Sequence, residues 1–447
     1  MYEILNSIKL KKITIIFFGT FFMGAILFAR SFIGITVFGF RIGELFMAVS
    51  LLALILSISF LENETINKVK EIYLLLLLVF VGFLVSSNLS NSSFFDPYTY
   101  RASSYIWTVG FLFLGIWFSK DFTLKKNSLI TIQLILLIVY VVSIFDYPNI
   151  FQNFFYNYSD KYELHKGSDL LLIFIVLNYI LFNNSVSSEF VTKLFFFNSA
   201  LYMPLFLFKS RAAFIAALIY ITLEVFTSKK IKYSFNLLNI FYIFFIFVVI
   251  TFSTFYSQRY VVEEFSSEIL SEIPTAYKQL GEYKFSKYQE EYPILYYSNG
   301  RIFSGDGNLN WRLQLWQDSI DDLKEDKSQI FGNGYKDKFR VFVEDNLTCS
   351  GGKPCGNDRK GLDGLNQNVH NYLLTVYLRG GFYHLALFMF INLVFLVYVV
   401  KNHKLISFLK FYLPVMFVSF FDSSMENAHF PLIVYFFLGY YFINNQN

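Results

Sequence analysis

Five histidines are among the scarcest ionisable side chains in this 447-residue sequence, and one of them stands where acid–base chemistry is plausible. His370 lies in Asn366-Gln367-Asn368-Val369-His370-Asn371-Tyr372-Leu373-Leu374, where a polar stretch gives way to an apolar helical pattern. Asn368 is a good N-cap, which puts His370 in the first turn of a helix running to about Arg379, before Gly380-Gly381 interrupts it. The positive end of the helix dipole disfavours imidazolium, and a neutral imidazole can act as a general base. The same position also suits a plain interfacial anchor for the chain. His165, His384, His403 and His429 stand singly in loops or spans and are read as packed or interfacial rings.

Arginine is the natural partner of a pyrophosphate, being always charged and able to donate two parallel hydrogen bonds to phosphate oxygens. Arg211, in Phe208-Lys209-Ser210-Arg211-Ala212-Ala213, sits in a tight turn between two apolar spans, where charge is costly unless used or solvated. Lys209 beside it keeps open a simple snorkelling role. Arg312 lies in Asn310-Trp311-Arg312-Leu313-Gln314-Leu315-Trp316-Gln317, and Trp316 follows one helical turn later. That spacing offers a cation and a large aromatic surface on one face, suited to phosphate and sugar, or equally to a structural stack. Arg301, in a Gly-rich stretch, is a weaker candidate for substrate binding, as is Asn371. Arg379 falls on the opposite side of an unbroken helix from His370 and is set apart from that site.

Nothing demands a metal. Asp321, Asp322, Glu325 and Asp326 are interleaved with Lys324 and Lys327 and read as a solvated helix face. No Gly-rich phosphate cradle precedes a helix, which argues against an ATP-driven machine. The only two cysteines, Cys349 and Cys355, are expected to close a small disulfide loop in an oxidising compartment. Two free thiols or a metal site are the alternatives, and the metal site lacks a third ligand at suitable spacing.

The elements that must position these residues are membrane helices. The chain is 55% hydrophobic and 16% charged, too few charges to solvate a soluble protein of this size. Apolar runs recur near 13–29, 44–60, 72–88, 104–119, 128–145, 169–183, 192–208, 211–226, 236–256, 381–400, 405–420 and 427–443. A hydrocarbon core of roughly 30 Å needs roughly 20 apolar residues per helix. The expected fold is therefore an all-α polytopic membrane protein of about twelve transmembrane helices. Residues 1–256 hold the first nine, 257–369 form one large loop, and 370–447 hold the re-entry helix and the last three. No cleavable signal pattern is visible before the first span.

Placing the N-terminus inside gives the short inner segments fourteen Lys and Arg and the short outer segments seven, as the positive-inside rule requires. Both termini are then cytoplasmic. The 257–369 loop lies outside with 14 Lys and Arg against 18 Asp and Glu, a net of −4. It is too long and polar for a simple connector and is expected to cap the outer face. Weak helical periodicity marks 309–324, and 346–368 reads as irregular.

In the order of these parts the chain resembles the O-antigen ligase and polymerase superfamily of bacterial glycan-assembly enzymes, and looks closer to the ligases. The resemblance rests on the span layout with its large outer loop, Ser210-Arg211, Arg312 with Trp316, Phe331-Gly332-Asn333-Gly334-Tyr335, and His370-Asn371 followed by Gly380-Gly381. It implies an inner-membrane glycosyltransferase with a periplasmic site, His370 as catalytic base and Arg211 and Arg312 on the substrate pyrophosphate. The implied donor is a polyprenyl-pyrophosphate-linked glycan and the implied acceptor lipid A core or another glycan, with membrane lipids around it. No cofactor, metal or nucleic acid is expected. The alternatives are a polymerase of the same superfamily, a protein O-glycosyltransferase, and a lipid-glycan transporter. The Gly-rich insert with Cys349 and Cys355 departs from the family pattern.

Overall fold

A computed structural model describes residues 8–93, 96–119, 128–160, 162–182, 187–234, 295–298, 300–304, 307–336, 338–342, 347–348, 354–355, 368–402 and 404–443, with isolated positions between 241 and 252. The helices in chain order are α1 (Ile8–Ile33), α2 (Ile42–Phe60), α3 (Asn63–Lys68), α4 (Lys70–Leu89), α5 (Pro97–Ala102), α6 (Ser104–Trp107), α7 (Phe111–Ser119), α8 (Ser128–Phe145), α9 (Asn149–Tyr158), α10 (Gly167–Phe182), α11 (Ser188–Lys209), α12 (Arg211–Thr227), α13 (Lys229–Ser234), α14 (Gly307–Glu325), α15 (Tyr372–Lys401), α16 (Leu405–Ser419) and α17 (His429–Leu438). Two-residue and three-residue strands pair as antiparallel hairpins: β1 (Thr36–Val37) with β2 (Phe40–Arg41), β3 (Tyr296–Ser298) with β4 (Arg301–Phe303), and β5 (Leu347–Thr348) with β6 (Pro354–Cys355).

The protein is a helical membrane protein. Among the described residues, α2, α4, α11 and α15 are long and apolar enough to cross a bilayer, and α8 with α9, bent by 77°, adds a fifth if the pair is one span. Shorter apolar helices cover Phe18–Ile33, Ser104–Ser119, Gly167–Phe182, Leu405–Ser419 and His429–Tyr441. The expected span at 236–256, His403, and Cys349 with any disulfide to Cys355 lie outside the described residues.

The chain divides into two units. The first comprises Met1–Leu74, Ser104–Arg259 and Ile391–Asn447. Its helices pack through small residues, as helices in lipid must when no water is left to expel. A side chain on Gly115 would sit 2.1 Å from the Phe436 carbonyl oxygen, and one on Gly439 2.0 Å from that of Leu112. The backbones of α7 and α17 are thus in direct contact. Between α12 and α16, Lys410 Nζ meets Glu224 Oε1 at 2.9 Å with both side chains at most 10% exposed. Each charge is neutralised by the other where neither could stay alone.

The second unit comprises Leu75–Ser103 and Tyr260–Phe390. Its apolar centre gathers Leu315 and Leu323 of α14, Phe339, Val341 and Phe342, Val369, and Leu378 of α15. The sequence expectation of a helix over 309–324 matches α14. The Gly380-Gly381 interruption is also present: α15 has a non-helical residue at Gly381, with φ +68° and ψ −168°. This region of backbone space belongs to glycine.

A break in an apolar helix strands amides and carbonyls that lipid cannot satisfy. Here the Gln329–Gly334 segment takes them up. The amides of Phe382 and Tyr383 donate to the carbonyls of Gln329 and Ile330 at 2.8 and 3.0 Å. In return, the amides of Asn333 and Gly334 donate to the carbonyls of Leu378 and Arg379 at 2.8 and 3.0 Å. Gly332 and Gly334 have φ of +72° and +75°, which lets the Phe331–Tyr335 turn fold this tightly. Gly381 must also be small, since a side chain there would lie 2.2 Å from the Ile330 oxygen. Gly381→Ala is expected to cost about 3 kcal/mol, from a glycine-only conformation and a backbone clash together. Gly300, with φ +78° and open space around it, provides the control: Gly300→Ala should cost about 1 kcal/mol. Thermal unfolding of the two variants in detergent checks the difference, and equal losses would count against the clash.

Candidate functional site

The chain enters α15 through Val369-His370-Asn371. The helix begins at Tyr372, and the amide of Leu374 donates to Asn371 Oδ1 at 3.0 Å. Asn371 is therefore the N-cap. This corrects the sequence expectation, which made Asn368 the cap and put His370 inside the first helical turn. His370 precedes the cap with φ +52°, in the left-handed region that histidine enters more readily than most residues. The reason is geometric: a left-handed residue before the cap turns the chain into the helix axis, so the first orphan amides meet Asn371.

Helix α14 supplies the rest of this site. Trp316 Nε1 donates to the Val369 carbonyl at 2.6 Å, and the Trp311 indole stands edge-on to the His370 ring with centroids 5.6 Å apart. At about 100° per residue, Arg312 falls on the helix within the arc bounded by these two tryptophans. Its side chain is half-buried. Inside the second unit, Trp311 and Trp316 of α14 thus meet His370 and Val369, and Arg312 lies between the two indoles on the helix. Trp311 was not singled out by sequence, although two tryptophans flanking an arginine were a visible signal.

Arg301 is engaged differently. Its Nε donates to Gln314 Oε1 at 3.1 Å and its Nη2 to the Gln314 carbonyl at 3.3 Å, and it forms an ion pair with Asp318. It ties β4 to α14, with its charge answered by a carboxylate. Arg211 lies in the first unit, exposed, as the first residue of α12. The helix is capped by Ser210, whose Oγ accepts from the Ala213 amide at 3.3 Å. Lys324 pairs with Asp321 at 2.9 Å on an exposed face of α14, as the charge pattern indicated.

Two further polar residues of the second unit serve the helix break. Arg379, 4% exposed, donates to the Gly334 carbonyl at 3.1 Å and to Tyr98 Oη at 3.0 Å, and its guanidinium lies 4.0 Å from the Phe339 ring centroid. His384 is held between Tyr335 Oη, 3.0 Å from Nδ1, and the Val79 carbonyl, 3.0 Å from Nε2. A carbonyl only accepts, so Nε2 carries the proton and Tyr335 donates to Nδ1. His384 is the packed ring that its solitary position suggested.

Among the described residues no group of three or more His, Cys, Asp or Glu is placed to hold a metal ion. No protein-family model matches the sequence, and comparison with curated proteins finds no match.

Proposed function

We propose that this chain is an inverting glycosyltransferase that moves a glycan from a polyprenyl-pyrophosphate donor to an acceptor sugar hydroxyl, as in O-antigen ligation to lipid A core. The observation that carries the reading is the edge contact of His370 with Trp311, one residue before Arg312 on α14. It puts a potential base, a phosphate-binding cation and sugar-stacking surfaces on the same few residues. In this scheme about twelve spans hold the chain in the bacterial inner membrane with both termini cytoplasmic, and the 257–369 region faces the periplasm.

Arg312 neutralises the pyrophosphate as its charge grows. His370 takes the proton from the acceptor hydroxyl while that oxygen attacks the anomeric carbon from the face opposite the leaving pyrophosphate. The C–O bond to the acceptor forms, the C–O bond to pyrophosphate breaks, and the anomeric configuration inverts. Pyrophosphate so neutralised leaves without a general acid.

Reconstitution tests this. Purified protein in vesicles, given a polyprenyl-pyrophosphate-linked glycan and lipid A core, should yield a new glycosidic bond of inverted configuration. Absence of any new linkage sinks the proposal, and lengthening of the donor glycan without transfer to core assigns the polymerase reaction instead.

A further inference from the structure

The first unit carries two adjoining elements whose large apolar side chains stay exposed. Helix α9 has no charged residue. At about 100° per residue, Ile150, Phe151, Phe154 and Tyr158 fall within an arc of about 100°, and Asn149, Gln152, Asn153 and Asn157 take the other side. The four residues of the first arc are between 42% and 75% exposed. Phe155 fixes the roll of the helix, because it is buried against Phe28 of α1 and against Tyr147, with ring centroids 5.2 and 5.7 Å away. The exposed arc therefore has a set direction.

The second element is the β1–β2 hairpin that follows α1. Its two-residue tip, Phe38-Gly39, has φ of +51° and +84°, the left-handed pair that so tight a turn requires. Glycine adopts this freely and phenylalanine does not, yet the Phe38 ring is 98% exposed. A phenylalanine here costs twice, in backbone conformation and in apolar surface left bare. The hairpin is fastened to the end of α9. Ile35 and Ser159 form an antiparallel bridge, the Asp160 amide donates to the Gly34 carbonyl at 3.2 Å, and Ser159 Oγ donates to the Ser31 carbonyl at 2.8 Å. Arg41 at the foot of the hairpin pairs with Asp160.

The position of α9 at the end of a span points to what covers this surface. Helix α8 has 18 residues, about 27 Å of helix, which nearly crosses a hydrocarbon core of roughly 30 Å by itself. Helix α9 has 10 residues and turns 77° from α8, so its roughly 15 Å of length advances only about 3 Å along the α8 axis. It adds almost nothing to the crossing and leaves the span sideways. The turn is written in Asp146-Tyr147-Pro148: Asp146 has φ +70°, Pro148 disfavours helix at Tyr147, and Gln152 Nε2 donates to the Tyr147 carbonyl at 2.6 Å. A helix lying across the end of a span, apolar on one side and polar on the other, is built for the membrane interface.

We propose that the exposed arc of α9 and the Phe38 tip form one lipid-binding platform, with their rings at the boundary between headgroups and acyl chains. Helix α9 brings no charge and Arg41 is answered by Asp160, so the attraction is apolar and takes lipid without regard to headgroup charge. The platform fixes the depth at which α1 and α8 end. It does not rest on the proposed transfer reaction.

A nitroxide amino acid placed at one position at a time tests this, in the full chain reconstituted into phosphatidylcholine vesicles. Its collisions are compared for oxygen, which concentrates in lipid, and for a water-soluble nickel chelate. A label replacing Phe154 should show a several-fold higher ratio of oxygen to nickel collisions than one replacing Asn153, and a label replacing Phe38 should match Phe154. Equal ratios at 153 and 154 overturn the platform. A label at 154 that reports the bilayer midplane makes α9 part of a span and overturns it too. Dipolar broadening at 154 that vanishes on dilution with unlabelled chain puts a second copy on the surface in place of lipid. A ratio at 38 equal to that at 153 removes the hairpin. Adding phosphatidylglycerol should leave the ratios unchanged, and a rise at 154 overturns the apolar basis. If the chain labelled at 154 does not elute as a folded species, a label replacing Ile150, 75% exposed, carries the same expectations.

Discussion

Replacing His370 by asparagine should lower glycan transfer by roughly 10² to 10⁴ while the protein still inserts and purifies as the native chain does. Asparagine is the informative substitution because the backbone at position 370 is left-handed, with φ +52°. Alanine there adds about 1 kcal/mol of backbone strain to the loss of the ring, whereas asparagine tolerates this conformation. A rate that falls with His370→Asn therefore reports the missing imidazole. The measurement is the initial rate with purified protein in vesicles, read beside size-exclusion behaviour. Near-native transfer by His370→Asn removes this histidine from the mechanism. Its role would then be structural, with the Trp311 edge contact at 5.6 Å helping to seat the chain before α15.

Arg312→Ala should cost on the order of 10² or more in the same assay, the scale for removing one group that stabilises charge developing on a leaving pyrophosphate. Arg312→Lys should recover little of it, since an ammonium cannot donate the two parallel hydrogen bonds that fit a phosphate edge. Full recovery by lysine would mean a point charge suffices. Thermal unfolding distinguishes binding from packing: Arg312 lies within the arc bounded by Trp311 and Trp316, and only a packing role predicts that stability and rate fall together.

The membrane class of the chain was legible from composition, because no arrangement of 16% charged residues could solvate it. Helix α14 was legible from its periodicity, and the interruption of α15 from two adjacent glycines. The start of α15 was not. Asn368 and Asn371 are three residues apart, both suitable caps before the same apolar run, and only the backbone at His370 decides between them. Sequence also could not supply the acceptors of the α15 break. The Phe331–Tyr335 turn lies about fifty residues earlier, and periodicity carries no record of which distant segment a stranded amide will meet.

The buried pair of Asp169 Oδ1 and His429 Nε2, 2.8 Å apart, was missed for a related reason. His165 and Asp169 lie close together in the sequence, but His429 and Arg30, which meet Asp169 in the fold, come from segments far from it in the chain. One signal was available. Asp169 opens an apolar span, where an unpaired carboxylate is too costly to be incidental.

The helix break has a consequence for biosynthesis. A nascent span that reached the hydrocarbon with the amides of Phe382 and Tyr383 bare would lose the advantage of insertion. Gln329 and Ile330, whose carbonyls receive those amides, are translated first and have left the ribosome when α15 emerges. The chain thus makes the template for the kink before the kink itself, and a bent span can enter the bilayer with its polar groups already answered.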